Sequence, residues 1–493
     1  MMNFLVKQPS TFRGFVLLVM IPIIIFWYCL FLGDYPPPNQ DDIFFVGAAL
    51  NLVTDGEFKN PYILSPFTGE NFYLYTPFHS FILAAWLNLV GISKSSVTLF
   101  QCLCGTITSI AIAILLRRYS FPVITAFLST LIIAIFCKTM GLRPEFLGLA
   151  FMFTGFSLLA TNIPIAYFLG FFLLASAIFT QPVTLAYAFV IGAGIGFYNF
   201  HQYRPSRKDF FLMIAISIFG SFILVFLIFL WCINFNISSF ISQFQFNVNA
   251  VAAPGIQNKL YSFLSVMLGY YGCILYLPSW ILLLFVSVYL ISNLNSYQLT
   301  ERILLLSILV GIFLNILLHG RRDVLLLFLW LFITVIMTTF FSKNRPKLRR
   351  SMKVFFISLW LISLFLSQSL EIISSMSRGK ITQSSYEKIQ TFVTSHPNFQ
   401  YIVDASAARY VFNYRLPKNS ISWIYHIPAP EHLRGKVIYV GSPYFIQYMG
   451  LDAFNSPTLK QIAESYPRVS FLGRRFNSLP QMPFEVSIIE LKL

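Results

Sequence analysis

Three short stretches of the sequence carry charged side chains that could act together in chemistry. They are the adjacent carboxylates Asp41 and Asp42, the pair Arg143 and Glu145, and the group His319, Arg321 and Arg322. A carboxylate within hydrogen-bond reach of a hydroxyl can act as a general base. The planar guanidinium fork of arginine suits a phosphate, because it makes paired charge-assisted hydrogen bonds. The three stretches together indicate proton transfer beside a phosphate group.

Each stretch also has a purely structural interpretation. Acids in the first turn of a helix bind its free amides and complement its dipole, which would explain the three carboxylates. Arginines at a membrane surface can extend toward the lipid headgroups, and Arg322 could instead pair with Asp323. The choice depends on the elements that carry these residues and on the side of a membrane where they lie.

The composition of the chain excludes a soluble protein, because 57% of the 493 residues are hydrophobic and only 11% are charged. Residues 1–370 hold about eleven apolar stretches close to the roughly 20 residues that a helix needs to cross hydrocarbon. These predicted spans lie near 14–32, 96–116, 121–138, 145–161, 163–180, 182–200, 210–233, 274–292, 303–318, 324–341 and 353–370. The sequence therefore predicts a polytopic α-helical membrane protein.

The last part of the chain, residues 371–493, is richer in charge and is predicted to be a small soluble α/β domain. Its pattern predicts helices at 386–394 and 458–464 and short strands at 401–404, 436–440 and 486–491. The domain boundary is placed at residue 371. We expect this domain to contact the acceptor or to act as a lid.

The formal charge of +16 is distributed in a way that predicts orientation. The first apolar run has no small-residue cleavage pattern and is therefore taken as a retained anchor with a cytoplasmic N-terminus. The segments that are then cytoplasmic hold 14 basic and two acidic residues, against seven and eight in the opposite loops. This agrees with the positive-inside rule and predicts an extracytoplasmic C-terminal domain at the plasma (inner) membrane. No nucleic-acid partner is needed to explain the charge.

The first external loop, at about 33–95, holds six of the ten acids of residues 1–370. Asp41 and Asp42 open a helical pattern that ends at Gly56. A second pattern begins with Thr76 as the predicted cap and Pro77 in the first turn. Both read as amphipathic helices at the membrane interface. A pair of carboxylates there could face a reactant carried by lipid.

Two outward histidines raise the question of a metal. His79 or His319, together with Asp41, Asp42 or Glu70, would suit a divalent ion, with His79 as the weak candidate ligand. The alternative is an ordinary hydrogen-bonded surface histidine. No other cofactor is implied.

The order of these features resembles the GT-C class of membrane glycosyltransferases, in particular protein O-mannosyltransferases and lipid A aminoarabinose transferases. The resemblance rests on one anchor, an outer loop whose acidic pair opens a helix, and a helix that starts at Thr76 and Pro77. A span ending in Arg117 and Arg118 and a turn with Arg143, Pro144 and Glu145 follow.

The resemblance implies transfer of a hexosyl or pentosyl group from a polyprenyl-phosphate donor to a hydroxyl of a lipid, glycan or protein acceptor. The first-loop acid, Asp41 or Asp42, would be the base, and Glu145 the second acid. Where relatives carry lysines, this chain reads Tyr75-Thr76-Pro77 and Thr180-Gln181-Pro182. The donor phosphate is therefore expected on other cations and their neighbour, namely Arg143, Arg321, Arg322, Lys259 and His319.

Two alternatives remain open. A transporter or flippase for lipid-linked sugars would also be polytopic, but it should carry ionisable residues at mid-membrane, whereas the acids here collect at one surface. A polymerase or ligase of sugar chains would share the donor, but its usual large loop comes late in the chain. A single displacement by the transferase predicts inversion at the sugar carbon.

Overall fold

The computed structural model describes most of the first 251 residues and separate parts of the remainder. The described residues are 11–36, 38, 41–140, 142–161, 163–202, 207–251, 299–318, 383–424, 437–441, 458–461 and 487–491, with a few isolated positions between them. Four of the predicted site residues lie outside them, namely Lys259, His319, Arg321 and Arg322. So does most of the spans predicted at 274–292, 324–341 and 353–370.

The described part is mainly helical, and eight of the predicted spans are helices. Their bounds are Phe12–Leu32 (α1, with a π-helical turn at Val16–Met20), Lys94–Arg118 (α4), Val123–Met140 (α5), Pro144–Leu159 (α6), Pro164–Thr180 (α7), Leu185–Gln202 (α8), Arg207–Cys232 (α9) and Leu299–Leu318 (α11). Two further helices belong to the first loop, Asp42–Thr54 (α2) and Phe78–Val90 (α3), and one follows α9, Ile237–Val251 (α10).

Among the described residues, four helices are long and apolar enough to cross a membrane, at Phe12–Leu32, Lys94–Arg118, Pro182–Asn199 and Phe211–Cys232. Shorter apolar helices accompany them, including Pro144–Leu159 and Pro164–Thr180. These two helices approach closely, since a Cβ on Gly155 would lie 2.9 Å from the carbonyl oxygen of Gly170. Small residues at such contacts let the backbones of two membrane helices approach closely.

The break between α7 and α8 has a local cause. Gln181 ends α7 in an extended conformation (φ −144°, ψ 100°), which is what the ring of the following Pro182 favours for the residue before it. A single 3₁₀ turn at Pro182–Thr184 then leads into α8. The predicted division between the spans 163–180 and 182–200 is confirmed.

The chain forms two compact units, and one division between them, after Ile372, lies next to the boundary placed at residue 371. The first unit comprises Met1–Cys29, Cys102–Thr139 and Pro144–Ile372, and the second comprises Leu30–Gln101, Met140–Arg143 and Ile373–Leu493. The second unit therefore joins the first loop, the turn before α6 and the C-terminal part of the chain. A common core explains this grouping, since Ile43, Leu83 and Tyr401 belong to one buried apolar cluster.

The helices of the first loop differ from the prediction in their surfaces. The bounds of α2 are as predicted, but every residue from Asp42 to Asn51 is buried. The prediction of an amphipathic helix with one face exposed to solvent was therefore wrong. On one side of α2, Ile43, Val46 and Leu50 belong to the buried cluster that also contains C-terminal residues. On the other side, Phe44 packs against Phe72 and Phe45 against Tyr75, both in the first loop. In α3 the N-cap is Pro77, without a side-chain capping bond, so the prediction of Thr76 as the cap was also wrong. The last turn of α3 exposes Leu89 (83% exposed).

The C-terminal part contains a helix, Gln383–Ser395 (α12), and a five-stranded sheet. The strands are Gln400–Val403 (β2), Ser420–Ile421 (β3), Val437–Gly441 (β5), Thr458–Gln461 (β6) and Ser487–Leu491 (β7), in the order β3-β2-β5-β7-β6. The first three in that order are parallel, and β7 runs antiparallel to β5 and β6. The prediction of a helix at 458–464 was wrong, because residues 458–461 form the edge strand β6, which pairs with β7.

A second, short strand pair ties the first loop to this region. Ile63–Leu64 (β1) pairs in parallel with Trp423–Ile424 (β4), and the amide of Ser422 donates to the carbonyl of Tyr62 at 2.7 Å. The helix predicted at 386–394 and the strands predicted at 401–404, 436–440 and 486–491 are confirmed within a few residues.

Candidate active site

Asp41 and Arg143, two of the predicted site residues, form an ion pair. Arg143 Nη1 lies 3.4 Å from Asp41 Oδ2, and 33% of the Asp41 side chain and 14% of the Arg143 side chain are exposed. The guanidinium group also lies over the ring of Phe45, 5.7 Å from its centre. The pair thus combines a carboxylate and a cation that both reach solvent, on a support of buried aromatic carbon.

The capping explanation does not account for Asp41. This residue is the N-cap of α2, yet its side chain makes no capping hydrogen bond. Its carboxylate is directed to Arg143 instead. A carboxylate left partly open to solvent beside a cation can take a proton from a hydroxyl that comes within reach.

Asp42 has a different environment from its neighbour. It is fully buried, and its Oδ1 atom accepts a hydrogen bond of 2.9 Å from the backbone amide of Leu142. Leu142 immediately precedes Arg143, so this bond fixes the turn that carries the guanidinium group against the start of α2. A hydrogen bond to an ionised acceptor is stronger than a neutral one, and Asp42 therefore positions the pair.

The start of α2 is held from the other side by Asn60. The Nδ2 atom of Asn60 donates to the carbonyl oxygens of Ile43 at 3.3 Å and Phe44 at 3.1 Å. The approach requires glycine at position 47, because a Cβ there would lie 2.4 Å from Asn60 Oδ1. The helix that presents the acidic pair is therefore fixed to the loop that follows it.

A second charged cluster, Asp34 with Lys94 and Arg409, was not predicted from the sequence. Asp34 Oδ2 lies 2.7 Å from Lys94 Nζ, and Asp34 Oδ1 lies 3.5 Å from Arg409 Nη2. Arg409 is 2% exposed and lies in a π-helical turn, Ala407–Val411. No local sequence signal marks these residues as partners, because Arg409 follows Asp34 by 375 positions.

The charges of this cluster stabilise the ionised form of Asp34. Burial alone would raise the pKa of Asp34, but the positive charges of Arg409 and Lys94 and their hydrogen bonds outweigh it. The pKa of Asp34 therefore lies below its ordinary value of 3.8. Asp34 is therefore an anion at neutral pH, and it forms ion pairs with Lys94 and Arg409.

Two further polar side chains lie in the apolar surroundings of the acidic pair. The hydroxyl of Tyr414 is buried without a hydrogen-bond partner among the described residues. Burial, and after it the negative charge of Asp42, raise the pKa of Tyr414 well above its ordinary value. His79 lies with its ring edge toward Phe45 and Phe100, with ring centres 6.5 and 6.1 Å away. Burial lowers the pKa of His79 to about 4, so the imidazole is neutral at neutral pH.

The remaining predicted site residues are Glu145 and four residues that the structure does not describe. Glu145 lies in the first turn of α6, is 3% exposed, and belongs to the other compact unit. Lys259, His319, Arg321 and Arg322 fall outside the described residues. Among the residues that the structure describes, no group of three or more His, Cys, Asp or Glu side chains could hold a metal ion, and the ring of His79 has aromatic neighbours.

No protein-family model matches the sequence, and no curated protein matches it. Solved structures do. ArnT from Cupriavidus metallidurans bound to undecaprenyl phosphate is 10% identical, with a TM-score of 0.54, and the match covers 97% of this chain and 98% of that one. The same protein in its apo state matches at 9% identity with a TM-score of 0.51.

An archaeal oligosaccharyltransferase, AglB from Archaeoglobus fulgidus in complex with an inhibitory peptide and a dolichol-phosphate, also matches. It is 9% identical, with a TM-score of 0.52 over 88% of this chain and 70% of that chain. The chain therefore has the fold of GT-C membrane glycosyltransferases, and its apolar helices agree with a membrane location. The predicted resemblance is confirmed at the level of the fold.

Proposed function

We propose that this chain is a glycosyltransferase of the plasma membrane that moves a sugar from a polyprenyl-phosphate donor to an acceptor hydroxyl on the extracytoplasmic face. The observation that carries the proposal is the partly exposed pair of Asp41 and Arg143 at the start of α2. The fold supports it, since the similar ArnT and AglB structures hold undecaprenyl phosphate and a dolichol-phosphate, respectively.

In the proposed reaction, Asp41 takes the proton of the acceptor hydroxyl. The acceptor oxygen forms a bond to the anomeric carbon, and the bond from that carbon to the phosphate oxygen breaks. The electron pair leaves with the polyprenyl phosphate, so no general acid is needed. A single displacement of this kind inverts the configuration of the sugar carbon.

Arg143, which pairs with the proposed base, is assigned to the departing phosphate, whose developing charge a guanidinium group can stabilise. Lys259, His319, Arg321 and Arg322 complete the proposed phosphate contacts on the strength of the sequence. Asp42 holds the turn with Arg143, and Glu145 is proposed as the second acid. The proposed acceptor is a hydroxyl of a lipid, a glycan or a protein, and the experiment below compares these three classes.

The decisive experiment reconstitutes the purified protein with radiolabelled polyprenyl-phosphate sugars and a panel of acceptors. Asp41→Asn should lower transfer roughly 10²- to 10⁴-fold, the usual contribution of a general base. Asp55→Asn is the matched control, because Asp55 is an exposed acid at the other end of α2. Glu145→Gln tests the second acid in the same assay.

Three results would contradict the proposal. The carboxylate mechanism fails if Asp41→Asn transfers sugar as fast as the wild type. Retention of configuration in the product would exclude a single displacement. Movement of labelled lipid across the bilayer without any transfer product would favour the flippase alternative.

A further inference from the structure

We infer that Arg409 is a positioning residue of the proposed reaction, which holds the start of the first loop from the C-terminal part of the chain and so sets the location of Asp41. The inference rests on the proposed function, in which Asp41 is the base. All the residues concerned belong to the same compact unit.

The contacts of Arg409 are with the segment that leads to Asp41. Its Nη2 atom donates to the carbonyl oxygen of Asp34 at 2.9 Å, and its Nη1 atom donates to the carbonyl oxygen of Pro36. The same guanidinium group lies 3.5 Å from the Asp34 carboxylate. Three acceptors in one short segment use the rigid fork of arginine, which the single ammonium of lysine cannot reproduce.

The backbone conformation of Asp34 places its carboxylate in contact with Arg409. Tyr35 N donates to Leu30 O and Asp34 N to Phe31 O, both at 3.0 Å, which is the hydrogen-bond pattern of a Schellman motif at the end of α1. Asp34 therefore occupies the position where glycine is the usual residue, and its φ is 61°. An aspartate in the left-handed region costs more than a glycine, but its carboxylate binds Arg409 and Lys94.

The same C-terminal segment also holds the other end of the loop. Lys94, the first residue of α4, pairs with Asp34 at 2.7 Å, lies 5.2 Å from the centre of the Tyr410 ring, and donates its backbone amide to the side chain of Asn413. Residues 409–414 thus contact the chain both where it leaves α1 and where it enters α4. The first loop is closed by one segment that is distant in sequence.

That segment is itself held in an unusual conformation. Asn413 and Tyr414 have φ values of 52° and 61°, and Tyr414 N donates to Ala408 O at 2.8 Å. Left-handed conformations of large residues persist where the surroundings over-determine them, and they concentrate at functional sites. Tyr414 is 2% exposed and belongs to the buried apolar cluster of this unit, so it anchors the end of the segment.

The positioning role predicts a loss of turnover that depends on Asp41. Arg409→Met should lower kcat about 10²-fold, the effect of a displacement of about 1 Å at a reacting group, with little change in the KM for the donor. Arg409→Lys should fall between Arg409→Met and the wild type. Arg415→Met is the control. Arg415 is an exposed arginine that directly follows this segment, and its replacement should leave transfer unchanged.

A double-mutant cycle with Asp41→Asn separates positioning from general damage. If Arg409 acts through Asp41, adding Arg409→Met to Asp41→Asn should reduce the residual rate less than about threefold, because the two changes remove one function. Hydrogen exchange gives a readout without activity: Arg409→Met should speed exchange in residues 41–54, whereas Arg415→Met should not. If Arg409→Met does not fold, Arg409→Lys carries both measurements.

The outcomes distinguish the inference from the proposed function. If Asp41→Asn is inactive while Arg409→Met and Arg409→Lys have wild-type kcat and exchange, the positioning role is overturned and the base assignment stands. If the losses multiply in the double mutant with unchanged exchange, the positioning role is also overturned. If Asp41→Asn is fully active, the proposed base is wrong and the role of Arg409 in catalysis falls with it. Faster exchange in Arg409→Met would then still show that Arg409 holds the loop.

Discussion

The guanidinium group of Arg143 lies 3.4 Å from the carboxylate of Asp41, and it reaches that place because the amide of the preceding Leu142 binds Asp42. Two adjacent acids thus do different things. The partly exposed Asp41 meets the cation, and the fully buried Asp42 fixes the turn that carries it. The assignment of base, phosphate contact and support follows from this division.

The first prediction concerns Arg143. Arg143→Met should lower kcat/KM for the donor about 10²-fold, with a clear rise in KM, because a charge-assisted contact to the phosphate is lost. Arg143→Lys keeps the charge but not the planar fork and should recover only part of the loss. Transfer rates at varied donor concentration measure both variants.

Lys59→Met is the control for Arg143. Lys59 pairs with Glu57 at 2.8 Å in the first loop, with side chains 37% and 57% exposed, and exposed pairs contribute little. An unchanged donor KM in Arg143→Met would show that the residue serves only as the partner of Asp41.

The second prediction separates the two adjacent acids by stability. Asp42→Asn should lower the free energy of unfolding by roughly 1–3 kcal/mol, because it replaces a buried charge-assisted acceptor and buries two new amide hydrogens. Thermal unfolding in detergent measures the change, with Asp55→Asn as the exposed control. If Asp42→Asn is as stable as the wild type but inactive, Asp42 takes part in the chemistry directly.

Much of this site was predictable because its signals are local. The acidic pair and Gly56 predicted the bounds of α2, and the turn with Pro144 predicted the start of α6. The membrane class followed from composition alone. These features depend on residues within a few positions of one another, which a single sequence displays.

The rest depends on contacts between distant parts of the chain. The periodicity of α2 indicated one apolar face, which packs in the cluster with the C-terminal strands, but Phe72 and Tyr75 of the first loop cover the other side as well. The segment at 458–461 is a strand because it pairs with β7, and the partnership of Arg409 with Asp34 spans 375 positions. Helix propensities and charge counts describe single residues or short windows, so they do not show which distant residues contact each other.

The third prediction concerns the left-handed position of Asp34. Asp34→Gly removes the backbone cost but also the carboxylate, and Asp34→Ala removes the carboxylate while keeping the cost. We therefore expect the melting temperature to fall in the order wild type, Asp34→Gly, Asp34→Ala. An equal loss in both variants would show that the φ of 61° costs nothing measurable.

The same carboxyl group predicts an acid-sensitive contribution to stability. Because the folded-state pKa of Asp34 lies below 3.8, the ionised contacts stabilise fully at pH above that value and are lost as the pH falls through the lower folded-state pKa. The difference in melting temperature between wild type and Asp34→Asn should accordingly shrink below about pH 3.8. A difference that stays constant down to pH 2 would contradict the ion pairs with Arg409 and Lys94.

The fourth prediction concerns His79, whose effect on stability appears at a higher pH than that of Asp34. Its pKa is about 4 in the folded protein, because of burial, and about 6.5 in an unfolded chain. Between these values the unfolded state binds the extra proton, so stability falls as the pH drops from 6.5 to 4, by at most roughly 3 kcal/mol. Thermal unfolding of wild type and His79→Phe from pH 4 to 8 tests this.

His79→Phe should flatten the pH dependence, since phenylalanine fits between Phe45 and Phe100 and has no proton to bind. His396→Gln is the control, because that histidine lies beyond the end of α12, outside this aromatic cluster. The metal hypothesis predicts a different pattern. If His79 were a ligand, a divalent ion would raise the melting temperature of the wild type and not of His79→Phe, and a chelator would abolish transfer. A stabilisation by the ion that survives in His79→Phe would place any metal elsewhere.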